Sequence, residues 1–246
     1  MARMSFEPNI RYCTAGDGVK IAFCDGGVGT PLVAAAFLNN LEVEARWEWH
    51  QILASRRRIV LYDSRGAGSS QRDIAGFSVD EMALDIGAVA DELGLESFVL
   101  FAWLWAVPTA VVYAVRHPER VSHLVLFAGG ARGEDWLKIP RVRTLFSMLD
   151  QGDLELFTDS LYLNAFGWHL PEVGQRVAAA ARGARTLEQT QAFYGAARQH
   201  DVTALLPKIS GVRNEGLRRR RGPVRSPVAR MSTAPHNRRA FCRLRP

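Results

Sequence analysis

Cysteine is scarce in this sequence. Cys13, Cys24 and Cys242 are the three present, too few and too scattered for a disulfide framework or a zinc site. No pattern demands an oxidising compartment. The opening stretch MARMSFEPNIRYC lacks the apolar core of a secretory signal, so a cytoplasmic setting is expected. The compositional bias of a disordered chain is missing too: 48% of residues are hydrophobic and 23% charged, as in ordinary globular proteins. A length of 246 residues allows one large domain or two small ones. Long apolar runs are rare as well. The exception is Phe98 to Val115, FVLFAWLWAVPTAVVYAV, interrupted only by Pro108 and Thr109, which reaches the lower length limit of a membrane helix. A buried strand followed by a buried helix starting at Pro108 explains this run better, and no membrane span is expected.

Positive charge is concentrated at one end. The net +6 comes from 31 Lys+Arg against 25 Asp+Glu. Residues 211–246 hold eleven arginines and one acid, Glu215, which gives that segment +10 and the remainder −4. The run Arg218–Arg221 has the chemistry to bind phosphate by counterion release. It has no interleaved aromatics, however, and the whole segment is rich in Arg, Pro, Ser and Gly without periodicity. It reads as a charged, unstructured tail with no specific nucleic-acid partner.

Between these limits the chain alternates strand and helix signals. Residues 10–24 alternate apolar and polar about Gly16-Asp17-Gly18, a hairpin signal. Thr30–Ala36, Arg58–Tyr62, Phe98–Phe101 and Val121–Ala128 are short apolar runs that predict buried strands. Helical spacing appears over Glu42–Leu53, Ser78–Leu93 and Val107–Arg116. Ser78 and Glu81 form a capping box, Gly94 stands where a helix end favours glycine, and His117-Pro118 stops the third helix. This order predicts βαβ units and a mostly parallel sheet, an α/β fold. Beyond Gly129, residues 130–206 read as helices only, around Val142–Met148, Leu154–Leu163, Val173–Ala181 and Leu187–Arg198. Such an insertion is expected to form a helical lid over the sheet's carboxyl edge.

The pieces, taken in order, resemble the α/β-hydrolase superfamily, in particular hydrolase-like domains found alone or fused to cyclase or regulator modules. The matching residues are the hairpin Arg11-Tyr12 to Asp17–Ala22 and the strand start Pro31-Leu32-Val33. The loop Asp63-Ser64-Arg65-Gly66-Ala67-Gly68-Ser69-Ser70 matches the family's Asp-x-Arg-Gly-x-Gly-x-Ser. The helix from Asp85 to Glu96 and the stop His117–Val121 complete the set. The likeness runs over roughly residues 10–209 and implies an incomplete α/β-hydrolase fold: a core over 1–129, a helical lid over 130–209 and a basic tail over 210–246. It implies turnover of a small apolar or ester-like molecule through an acyl-enzyme, with no cofactor and no metal.

At the chemically decisive places the sequence departs from the family. The family carries Gly-x-Ser-x-Gly between a strand and a helix. Here Ala102-Trp103-Leu104-Trp105-Ala106 fills that span, with Leu104 at the nucleophile position. Leucine has no lone pair and no proton to lose, so no acyl-enzyme can form on it. Trp103 and Trp105 suit an aromatic ligand pocket or the ordinary burial of a strand end. In the oxyanion loop, Ala36-Phe37-Leu38 replaces the family's glycine. After Leu205–Ser210 neither the acid motif nor the histidine loop is present, and the composition break there suggests a frame shift or a decayed gene. The sequence therefore predicts an inactive homologue, with a small-ligand binding domain or a hydrolase using a displaced nucleophile as alternatives. Ser69, Ser70, Cys13 and Cys24 are the candidate displaced nucleophiles. Ser70 is expected to be structural, and Asp63 to fix the turn containing Arg65, Gly66 and Gly68. His50, His117, His123, His169 and His200 stand alone in sequence and read as surface or core residues. His236 falls in the tail.

Overall fold

A period of two along the strands sends successive side chains to opposite faces, and this builds the sheet's two sides. In β2 (Lys20–Gly26), Ile21 and Phe23 enter one core cluster while Ala22 and Cys24 enter the other. In β4 (Arg58–Tyr62), Val60 and Tyr62 join the first, Ile59 and Leu61 the second. Both faces are therefore covered, as a largely parallel sheet requires. The computed structural model describes residues 6–35, 39–166, 171–209 and 242–243.

With β1 (Arg11–Thr14), β3 (Pro31–Ala34), β5 (Phe98–Trp103), β6 (Val121–Phe127) and β7 (Cys242–Arg243), the sheet order is β1-β2-β4-β3-β5-β6-β7. The pairs β3–β4, β3–β5 and β5–β6 are parallel, and the N-terminal hairpin is antiparallel. From β3 the chain moves to one side to form β4, then crosses back to place β5 on the other side. The strand order thus reverses between β3 and β5, and ligands of open α/β sheets bind at the carboxyl ends of strands at such a point.

Two layers of helix follow from the apolar stripes. On one face lie α3 (Val79–Glu92) and α4 (Val107–Arg116). Ser78 and Glu81 close the expected capping box on α3, with Glu81 N donating to Ser78 Oγ at 3.2 Å. In α4 every side chain from Val107 to Ala114 is buried, which accounts for the long apolar run: β5 and α4 share it, and among the described residues no helix is long and apolar enough to cross a membrane. On the other face the helix predicted over Glu42–Leu53 is in fact two, α1 (Leu41–Ala45) and α2 (Glu48–Ala54), with Trp47 extended between them. The break has a local cause. His50 Nδ1 lies 2.5 Å from Glu44 O and Gln51 Nε2 donates to Ala45 O at 2.7 Å, so two side chains of α2 reach back to the last carbonyls of α1, the first of which also accepts from Trp47 N at 3.1 Å.

The segment after β6 is helical as expected: a short α5 (Glu134–Leu137), then α6 (Pro140–Asp150), α7 (Leu154–Phe166), α8 (Pro171–Ala184) and α9 (Leu187–Gln199). Its two ends are stitched together, Gly133 N donating to His200 O at 2.7 Å and Val202 N to Ala131 O at 2.9 Å. The tail contains one pairing that the sequence did not predict. Cys242 and Arg243 lie antiparallel to Leu124 and His123 of β6. Periodicity cannot reveal a strand of two residues.

Candidate functional site

The strand-to-helix corner is formed by Leu104. β5 ends at Trp103 in an extended conformation, and Leu104 then turns to φ +50°, opening a short 3-10 turn that runs into α4 at Val107. An L-residue in that region costs about 1–2 kcal/mol relative to an ordinary conformation. The neighbours impose it. A Cβ on Gly129, beyond the adjacent end of β6, would sit 2.3 Å from Val107 Cγ2 and 2.8 Å from Leu104 O, so the two strand ends approach too closely for any larger residue. Asn39 (φ +58°) and Ala128 (φ +51°) are the other described non-glycine residues at positive φ. All three follow the carboxyl ends of parallel strands, and such strain clusters where a structure over-determines its functional edge.

Leu104, Trp103 and Trp105 come together on the wall of a cavity of about 80 Å³ between the sheet's carboxyl edge and the helices that follow β6. Its floor includes Asn39, Ser64 and Thr109; its roof includes Phe157, Tyr162, Arg185, Phe193 and Tyr194. Trp105 packs edge-on against Phe146 and Tyr194, with centroids 5.7 and 5.6 Å away. Phe37 and Leu38, the expected oxyanion-loop residues, lie outside the described residues, as do His169 and His236.

The loop after β4 binds the sheet to the helical segment. Asp63 Oδ2 accepts from Ser69 N at 2.8 Å, and a Cβ on Gly68 (φ +51°) would stand 2.1 Å from that oxygen, so glycine is required there. Burial pushes the Asp63 carboxyl up to about 6. Arg65 is almost wholly buried and held by two carboxylates: Nη1 donates to Asp17 Oδ2 at 2.5 Å and Nη2 to Asp85 Oδ1 at 2.8 Å. Toward the helices, Gly68 N donates to Ala184 O at 2.8 Å, Arg72 Nε to Gln189 Oε1 at 3.2 Å, and Arg185 Nη2 to Ser64 Oγ at 2.9 Å. The Ser64 hydroxyl in turn donates to Asn39 Oδ1 at 2.6 Å.

None of the candidate displaced nucleophiles reaches the cavity. Ser70 Oγ donates to Asp63 O at 2.6 Å and accepts from Ala22 N at 2.8 Å, so its proton and a lone pair are both engaged by backbone. Burial pushes the Cys13 thiol up to about 11 and the Cys24 thiol to about 12, leaving both protonated. His50 is buried against Trp49, and burial lowers it to about 4. His200 Nε2 lies 3.2 Å from Phe77 O. Among the described residues the cavity wall contains no histidine, carboxylate or thiol, and no group of three metal-ligating side chains occurs. Sequence reasoning found Leu104 and its tryptophans but missed Asn39, Arg185, Phe193 and Tyr194, which carry no motif and reach the site only through the fold.

The sequence model of the alpha/beta hydrolase fold matches residues 23–202. Among curated proteins the chain is similar to RutD of Azorhizobium caulinodans, named as a carbamate hydrolase. Identity there is 32% over 115 residues, 46% of this chain and 42% of the relative. It is also similar to the proline iminopeptidase of Neisseria meningitidis, at 30% identity over 45% of this chain and 32% of the relative. The matched stretch thus spans less than half the length of these relatives. Among solved structures, the esterase EaEST from Exiguobacterium antarcticum superposes with a TM-score of 0.69 at 22% identity, covering 81% of this chain and 77% of that one. The enol-lactonase from Burkholderia xenovorans LB400 gives 0.67 at 18% identity, over 81% and 78%. The reversal of strand order between β3 and β5, the corner at Leu104 and the family match over most of the length agree, and the chain belongs to the α/β-hydrolase family.

Proposed function

We propose that this chain is a hydrolase-family protein that does not form a serine acyl-enzyme, and that it uses its cavity to bind a small apolar or ester-like molecule. Residues 1–129 act as the core and 130–209 as a lid over the site. One observation carries the reading: Leu104 occupies the positive-φ corner on the cavity wall, where the family's chemistry calls for a hydroxyl. The apolar lining from Leu104, Trp105, Phe157 and Phe193, with a few convergent polar groups, suits a ligand rather than a solvent-filled gap. The names of the similar proteins, carbamate hydrolase and esterase among them, point to carbamates and esters as the class of molecule to try.

The test is exposure of the full chain to a fluorophosphonate probe, read by intact mass, beside hydrolysis of p-nitrophenyl butyrate. The expected result is no adduct and no turnover above the buffer rate. A stoichiometric adduct mapped to Ser64, Ser69 or Ser70, with turnover lost in the matching alanine variant, overturns the reading in favour of a displaced nucleophile.

A further inference from the structure

Arg185 is a partly buried cation with no ion-pair partner among the described residues. It stands between α8 and α9 on the roof of the cavity. One of its donors, Nη2, is used by Ser64 Oγ at 2.9 Å. Its Nε is buried with no acceptor among the described residues. The guanidinium carbon lies 4.3 Å from the ring centroid of Phe193 and 5.9 Å from that of Phe77, so two of its neighbours are aromatic faces. Among the described residues no carboxylate comes within salt-bridge range of it.

The contrast with Arg65 is informative. There the chain supplies Asp17 and Asp85 to one buried guanidinium. At Arg185 it supplies a hydroxyl and two rings. The acid that bears on it from the end of β4, Asp63, gives Oδ2 to Ser69 N, keeps Oδ1 without a hydrogen bond among the described residues, and lies beyond salt-bridge range of the guanidinium. Burial draws Arg185 down to about 10, which leaves it cationic at neutral pH. Arg72 adds a second positive charge nearby. A partly buried cation without a directly paired counter-charge is costly. A planar guanidinium with a free Nε edge is shaped to take a carboxylate through two parallel hydrogen bonds.

We propose that the cavity takes a small monocarboxylate with an apolar body, the carboxylate paired with Arg185 beside Ser64 and the body laid against Leu104, Phe157 and Phe193. This deepens the binding role proposed above. It rests on the cavity being a ligand site and is independent of whether the chain turns over esters.

The experiment is calorimetric titration of the full chain at neutral pH with phenylacetate, its neutral isostere phenylacetamide, and inorganic phosphate. Phenylacetate is expected to bind on the order of tenfold more tightly than the amide, the margin of one charge-assisted hydrogen-bond pair. Arg185→Met is expected to erase that margin and Arg185→Lys to keep part of it. The wild-type comparison of acid and amide decides the matter even if Arg185→Met fails to fold. Equal binding of acid and amide, no binding of phenylacetate, phosphate binding as tightly as phenylacetate, or a margin that survives in Arg185→Met would each overturn the proposal. The fluorophosphonate result is read alongside. An adduct together with phenylacetate selectivity removes the inactive reading and leaves this one standing; no adduct and no selectivity does the reverse.

Discussion

Replacing Leu104 by glycine and, separately, by alanine separates backbone from side chain at the strand-to-helix corner. Both variants lose the same leucine contacts on the cavity wall, so that loss cancels in the comparison. In a regular element glycine is about 0.5–1 kcal/mol less stable than alanine because it gives up more freedom on folding. At φ +50°, alanine keeps a steric penalty of about 1–2 kcal/mol that glycine does not feel. The balance favours glycine by roughly 0.5–1 kcal/mol, the reverse of the order found inside helices and strands. Urea denaturation of the two variants, fitted with a common slope, reads this difference as a shift in midpoint. Thermal unfolding gives a second measure, with the glycine variant melting about 2 °C higher for a domain of this size. If alanine matches or exceeds glycine, Leu104 does not hold a strained conformation in solution, and the corner is not fixed by the approach of Gly129 and Val107.

Other perturbations test other parts of the structure. Gly68→Ala brings a methyl to 2.1 Å from Asp63 Oδ2 at a φ unsuited to alanine, and should cost more than about 2 kcal/mol in denaturant; a neutral result would show that the loop relaxes freely. Asp85→Ala leaves buried Arg65 with Asp17 alone and should cost about 3 kcal/mol, the low end for breaking a buried pair; a loss typical of surface pairs would refute its burial. His50 is neutral when folded because its value falls to about 4. Between pH 6.5 and 4 the unfolded chain takes up a proton that the folded chain refuses, so this contribution is present above pH 6.5 and lost as pH falls. The stability advantage of wild type over His50→Gln should therefore shrink by about 2 kcal/mol from pH 7 to pH 5, and a constant gap would exclude the buried neutral ring. Cys24, fully buried with its thiol at about 12, should react with a thiol reagent only on unfolding, and rapid native labelling would contradict its place in β2.

What the sequence displayed was everything set by local periodicity and local chemistry. The strand Arg58–Tyr62 and the helix Val107–Arg116 carry their own boundaries: a turn-rich loop after the first, a proline stop after the second. The capping box from Ser78 to Glu81 is a four-residue signal and reads directly. The break between α1 and α2 could not be read, because His50 and Gln51 create it by bonding carbonyls that any helix prediction assigns to backbone. The corner at Leu104 was legible by position alone; its φ depends on Gly129, just beyond the neighbouring strand. Arg185 was invisible for the same reason. Its partner Ser64 is 121 residues away, and nothing near Arg185 in sequence marks it as facing a cavity.

The loop from Asp63 to Arg72 grips β2 through Ser70 and α3 through Arg65, and grips the helical segment through Ser64, Gly68 and Arg72. One short turn thus joins both layers, beside the bond from Asn40 Nδ2 to Ala180 O and the packing of Trp105 on Phe146 and Tyr194. Loosening that turn would free Ala184, Arg185 and Gln189 of the bonds that tie them to the sheet side of the cavity. Hydrogen-exchange protection in α8 and α9 is therefore expected to follow that of the loop.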